Sequence, residues 1–290
     1  MPALPDDLTD SLKLADWLEL STISSPNGSA SQGHLERILR QAALYELADN
    51  EEIERQIIDV FSELEQRTNA AQDAYPFNLD NQGSLKLKSS NWEDFIVYIF
   101  CLCLSYFPLR ETREGPRLFE RISCLAAKRY LQGEAIGFGS PRRELPSSFE
   151  EAITEICKKI GEGGGYKAQP VLDRKDDTLD IVAWKDFTDR RPSKLLMFGQ
   201  CGAGRNWADK LGELQPSAFW RQWIRDGSIS PDPIKSFFTP YQIGRNYWEL
   251  YSRKGGILFD RCRIASLVHQ EIIKDNTIIS WIENFLAQNK

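Results

Sequence analysis

Residues 179–204 read LDIVAWKDFTDRRPSKLLMFGQCGAG. Two short apolar runs, LDIVAW and KLLMFGQC, flank DFTDRRPS, whose Asp, Arg, Pro and Ser suit a hairpin connection between strands. The first run opens near Asp180 and the second closes near Gln200. Acidic and amide side chains are poor choices for a core, so their placement points to a site.

Working outward, Ser148 is positioned to cap a helix through FEEAITEICKKI, with Phe149, Ile153, Ile156 and Ile160 on one face and Gly161 as its stop. The GEGGG that follows lacks the Lys-Ser/Thr ending of a phosphate-binding loop and reads as a hinge. Beyond residue 204, WADKLGEL suggests a helix, and SFFTPYQI and GILFDRCRI supply two strand-like runs, the last with a helical ending. The order helix, strand, strand, helix, strand, strand, helix predicts an α/β sheet with helices on its faces over 146–290.

The first half reads as helix. Residues 34–48 and 51–68 place apolar side chains three and four apart, and a third helix beginning near Trp92 is apolar nearly all round, so it belongs at a centre. A fourth, PRLFERISCLAAKRYLQG, starts at proline and ends at glycine. SSPNGSASQG and GFGSPRRELPSS read as linkers. The expected division is an all-α domain over 1–140, with a sensing or docking role, and an α/β domain over 146–290.

Composition narrows the chemistry. With 41% hydrophobic and 27% charged residues, the chain resembles a globular protein rather than a disordered one. The longest apolar run, Phe95 to Leu104, is shorter than the roughly 20 residues that cross a bilayer. The acidic start, MPALPDDLTD, lacks a secretion pattern, so the expectation is a cytoplasmic protein without a membrane partner. The six cysteines form no CxxC and read as reduced thiols among apolar neighbours. Only two histidines, His34 and His269, are present, so the chemistry falls to carboxylates; a Cys201–His269 hydrolase pair has no third group to orient it.

Residues 1–145 carry 15 Lys and Arg against 23 Asp and Glu, whereas residues 146–290 carry 21 against 19. The acidic first half suits a protein partner better than a polyanion. Basic residues interleave with Trp207, Trp220, Trp223, Tyr247 and Trp248 across 205–263, either a nucleic-acid surface or a solvated helical face over an aromatic core.

If the two runs around the hairpin pair antiparallel, Asp180 and Gln200 approach across the ladder. Asp180, the Gln200 amide oxygen and the main-chain carbonyl of Cys201 would then form half a shell for Mg²⁺ or Mn²⁺, which take few carboxylates plus water and phosphate oxygens. Asp180 as a strand-edge charge, and Glu150 as a complement to the helix dipole, are the other readings of these residues.

From Phe149 to about Leu211 the chain resembles the PD-(D/E)XK nuclease superfamily, in its Mrr-like restriction endonuclease branch: Phe149-Glu150 opening a helix, Ile160-Gly161 ending it, Asp180 in LDIV and Gln200 in FGQC fall in that family's order. The resemblance implies a mixed sheet flanked by helices and a metal-dependent endonuclease cleaving DNA, with RNA as another possible substrate, in a prokaryotic restriction or anti-phage setting. Carried over residue by residue, it makes Glu150, Asp180 and Gln200 the catalytic set. The slot of the family's motif lysine holds Gly202 here, and Lys210 or Arg205 is expected to supply the cation and meet the nucleic acid. The alternative is an inactive nuclease fold serving as a DNA-binding or scaffold subunit.

Overall fold

Asp10 turns its carboxylate back onto the N–H groups of Leu12 and Lys13, satisfying donors that the first turn of a helix leaves open. The computed structural model describes residues 2–46, 50–89, 91–106, 114–168, 177–225, 231–268 and 275–288. From Asp10 the chain enters α1 (Ser11–Ser24), then β1 (Ser29–Ser31), α2 (Gln32–Glu46) and α3 (Asn50–Ala71). Of the stripe read from sequence in α3, Ile53, Ile57, Val60 and Leu64 are buried and Phe61 is half-buried. β2 (Phe77–Leu79) and β3 (Ser84–Leu87) follow, and then α4 (Ile96–Tyr106), buried throughout from Ile96 to Ser105.

Next come α5 (Glu114–Leu131), β4 (Glu134–Gly137), α6 (Phe149–Ile160), β5 (Ile181–Lys185) and β6 (Leu195–Cys201). A 3-10 helix (Trp207–Gly212) leads to α7 (Pro216–Trp223), β7 (Ile234–Phe238), α8 (Arg245–Gly255) and β8 (Ile257–Phe259). The chain ends in α9 (Arg261–Val268) and α10 (Asn276–Gln288).

The compact units divide differently from the expected 1–140 and 146–290. One comprises Met1–Leu109 and Arg261–Lys290, the other Arg110–Asp260. The physical reason is where the helices find their apolar partners. α5 packs on β4 and β5, whereas α9 packs on α3 and α4, and α10 on α4.

The first unit is mainly helical but not all-α. It holds an antiparallel sheet in the order β1-β3-β2. β1 lies in SSPNGSASQG, read above as a linker; in β3, SLKL alternates so that Leu85 is buried, and Asp80 receives the N–H groups of Gln82 and Ser84 to turn the chain. Strands of three and four residues are too short for their alternation to stand out.

A buried ionic network crosses the helices of this unit. Arg67 of α3 reaches Asp16 Oδ1 at 2.6 Å, Glu19 Oε2 at 3.0 Å and Glu63 Oε1 at 2.8 Å. Arg261, opening α9, meets both Asp16 oxygens at 2.8 and 3.0 Å and donates to the Ser105 hydroxyl at 2.7 Å. Glu19 also accepts from the hydroxyls of Tyr75 and Tyr98, each at 2.9 Å. These contacts satisfy two guanidinium groups that would otherwise be costly to bury.

The second unit is built on a mixed five-stranded sheet in the order β4-β5-β6-β7-β8. β4, β5 and β6 run antiparallel in succession, and β7 and β8 continue parallel to β6. Ile136, Val182, Trp184, Leu196 and Phe198 face a layer made by α6 and α7, while α5 packs on the sheet through β4 and β5. Strand alternation assigns these two sets of contacts to opposite faces.

Ser148 Oγ accepts the Glu151 N–H at the start of α6, and Gly161 ends it at φ 67°, a left-handed conformation glycine adopts without a steric penalty. The segment read as a hinge is instead pinned. Gly164 donates to Arg225 O, Arg225 donates to Gly165 O, and a Cβ on Gly163 would lie 2.6 Å from Ile224 Cγ2.

Candidate active site at the rim of the sheet

Asp180 stands one residue before β5, at the end of the sheet where β6 finishes. Its main-chain carbonyl accepts from Phe138 N at 2.6 Å and Gly139 N at 3.2 Å, so it is committed to the β4 side. Its side chain serves the β6 side: Oδ2 accepts the Cys201 N–H at 2.7 Å. Main chain and side chain together fix this carboxylate at the rim.

The helical glutamate beside it is Glu120 of α5. A Cβ placed on Gly139 would lie 3.0 Å from Asp180 Oδ1 and 3.3 Å from Glu120 Oε2. The two carboxylates therefore border one small space, kept open because residue 139 has no side chain. Cys201 joins them: burial, then the charges of Asp180 and Glu120, push its thiol well above the ordinary range, while the Ser123 hydroxyl acts in the opposite direction. Cys124, one turn along α5 from Glu120, is pushed up to about 12, chiefly by burial and also by the charge of Glu144. Such thiols stay protonated at neutral pH, which opposes a thiolate nucleophile. His269, the other half of that scheme, lies outside the described residues.

Gln200 is buried at 4% exposure. It alternates with Cys201 and so shares the face of Leu196 and Phe198. Its Nε2 donates to Glu213 Oε2 at 2.7 Å, and its Oε1 has no hydrogen-bond partner among the described residues. The Gln200 amide nitrogen is engaged by Glu213, while Asp180 accepts the Cys201 N–H and borders, with Glu120, the space at Gly139. Cys201 ends β6 at this rim, so its main-chain carbonyl is adjacent to the N–H that Asp180 binds.

Glu150 is exposed in the first turn of α6 and borders a shallow cleft with Pro146, Glu151, Thr154 and Tyr166. That position suits complementation of the helix dipole. Arg205 and Lys210 follow β6, Arg205 exposed and Lys210 half-buried on the 3-10 helix that leads to Glu213. Lys185 closes β5 at the far end of the strand from Asp180.

Gly202 has a steric cause. A Cβ there would lie 2.6 Å from Phe237 Cζ and 2.9 Å from Trp207 Cβ, so aromatic packing occupies the slot in which the resemblance expects a lysine.

Sequence reasoning missed Glu120. The available signal was a charged residue set within the apolar stripe Leu118, Phe119, Ile122 and Ala126, all buried. Its meaning depended on β4, which pairs antiparallel with β5 and extends to the Phe138–Gly139 amides that hold Asp180.

Comparison of the chain with protein-family models, with curated proteins and with solved structures finds no match. Among the described residues, no helix is long and apolar enough to cross a membrane.

Proposed function

We propose that the second unit is a divalent-metal-dependent endonuclease acting on DNA phosphodiesters, in the defence setting that the nuclease resemblance implies. The observation that carries this reading is that Asp180 Oδ1 and Glu120 Oε2 border one space, 3.0 and 3.3 Å from where a Cβ on Gly139 would lie. An oxygen-only pair suits a hard cation such as Mg²⁺ or Mn²⁺. Among the described residues no group of three or more His, Cys, Asp or Glu is arranged to hold a metal. Two carboxylates are nevertheless the usual protein contribution to a Mg²⁺ site, the remaining positions going to water and substrate phosphate.

When bound, the ion would lower the pKa of a coordinated water and offset charge on the scissile phosphate. The chain's own contribution is positioning. Cys201 N–H holds Asp180 Oδ2 while Oδ1 borders the space at Gly139, and Glu120 is carried on α5 between its buried residues Phe119 and Ile122. Arg205 and Lys210 are the basic groups that follow this rim in the chain, and we assign them to the nucleic-acid backbone. The acidic first unit is assigned to a protein partner and the whole chain to the cytoplasm.

A second reading is favoured by one observation: the packed position of Gly202 closes the motif-lysine slot. In that reading the fold binds DNA or a protein assembly without cutting. Plasmid nicking with Mn²⁺ by the wild type and by Asp180→Asn separates the two. Metal-dependent nicking lost in the variant supports the endonuclease, and equal activity in both removes the proposed site.

A further inference from the structure

α5 brings the Glu120 carboxylate to the rim, and the direction of the helix decides what lies beyond it. Two points fix that direction. Glu120 Oε2 lies 3.3 Å from where a Cβ on Gly139 would stand, beside Asp180. Gly133, two residues past the end of α5, packs against the main chain of Trp184, at the other end of β5. β4 then carries the chain back, pairing Glu134 with Trp184 and Gly137 with Ile181. The first turns of α5 therefore stand at the Asp180 end of the sheet and its last turn at the opposite end.

Arg117 is one turn nearer the start of α5 than Glu120. At a rise of 1.5 Å per residue it sits about 4.5 Å farther out, on the neighbouring strip of the helix surface. Helical side chains lean toward the start of their helix, so Arg117 leans outward past the rim rather than back along the sheet. It is exposed, and among the described residues it has no ion-pair partner, although Glu114 and Glu120 stand three positions away on either side.

A polyanion approaching this rim meets the carboxylates of Asp180 and Glu120, whose charge opposes it. β6 offers no cation at residue 202, because Phe237 and Trp207 fill the space there. The helix that supplies Glu120 supplies the cation as well. A guanidinium suits the role: it is charged at all working pH values, and its planar fork of donors pairs with two phosphate oxygens at once.

We infer that Arg117 is a phosphate-binding residue of the rim, holding the DNA backbone beside the phosphodiester that Asp180 and Glu120 address. The identity of the polyanion rests on the nuclease reading proposed above; the placement of Arg117 rests on the direction of α5.

The test is fluorescence anisotropy of a labelled DNA duplex with full-length protein in EDTA, so that cleavage does not enter, followed through a salt series. Arg117→Ala is expected to weaken binding about tenfold, as for a lost hydrogen bond to a charged group. The slope of log affinity against log salt should become shallower by about one, which reports one phosphate contact. Arg117→Lys should recover the slope and most of the affinity. Arg129→Ala is the control for position: it removes an exposed arginine of the same helix about 18 Å farther along, toward the opposite end. Its affinity and slope should match the wild type. Thermal unfolding should be unaltered in the Arg117 variants, because that side chain is exposed.

Absence of duplex binding by the wild type, equal affinity and slope in wild type and Arg117→Ala, or equal losses in Arg117→Ala and Arg129→Ala overturns the inference. Arg117-dependent binding without Mn²⁺-dependent nicking retains the phosphate contact and defeats the endonuclease reading. Mn²⁺-dependent nicking with Arg117-independent binding does the reverse.

Discussion

The backbone N–H of Cys201 donates to Asp180 Oδ2 at 2.7 Å across the open end of the β5–β6 pair. A side chain here receives the amide because the Asp180 carbonyl is already engaged by Phe138 and Gly139. The contact gives Asp180 a structural role alongside its proposed chemical one, and the two are separable. Asp180→Asn keeps an oxygen acceptor and loses the charge; Asp180→Ala loses both. Urea denaturation should show Asp180→Ala destabilised by about 1–3 kcal/mol and Asp180→Asn by clearly less, because only the former strands the Cys201 amide. Equal losses in the two variants would remove the structural role.

Gly202→Lys is expected to destabilise the protein rather than to complete the site. Phe237 and Trp207 leave no space for a Cβ, and overpacking of this kind costs roughly 1–3 kcal/mol. A lowered denaturation midpoint with no gain in nicking is the expected result. A stable variant with increased nicking would show that the aromatic pair yields easily.

Arg261→Met should be severely destabilising, by about 3–5 kcal/mol in urea titrations, because it leaves buried Asp16 without its bidentate partner. The network also has a pH signature. Burial alone would raise the Asp16 carboxyl, but Arg261 and Arg67 outweigh it and leave it below its ordinary 3.8. Between the lowered folded value and 3.8 the unfolded state binds more protons, so this contribution is present above 3.8 and is lost as pH falls through the folded value. Asp16→Asn should therefore flatten the acid limb of stability measured below that pH. An unchanged acid limb would contradict the assignment.

Cys201 and Cys124 should react slowly with iodoacetamide at neutral pH in the folded protein. Burial, with nearby carboxylates adding to it, holds both thiols protonated, and the thiolate is the reactive form. Mass spectrometry of peptides after timed alkylation checks this, with the urea-unfolded chain as the fast reference. Alkylation of folded Cys201 at the unfolded rate would show that the two carboxylates do not crowd it.

The hairpin, the capped helix and an α/β sheet were legible because each has a local cause: DFTDRRPS between two apolar runs, Ser148 and Gly161 at the ends of α6, and β-leaning segments after them. The short strands were not. β4 is EAIG, four residues with little alternation, and without it α5 is assigned to the wrong unit and Glu120 has no reason to face Asp180. Gln200 was rightly singled out as a buried amide, yet which way it points depends on alternation relative to Phe198. Its partner, Glu213, lies beyond a 3-10 helix whose path no local pattern reveals. The return of α9 and α10 to the first unit rests on Arg261 and Asp16, 245 residues apart, a pairing that only the fold discloses.

The central claim is that Asp180 and Glu120 hold one divalent cation between them. Isothermal titration of the full-length protein with Mn²⁺ tests it most directly, using wild type, Asp180→Asn and Glu120→Gln, each confirmed folded by its melting transition. Binding in the wild type that is lost in each variant is the predicted result. Equal binding in all three proteins, or no binding in the wild type, would contradict it.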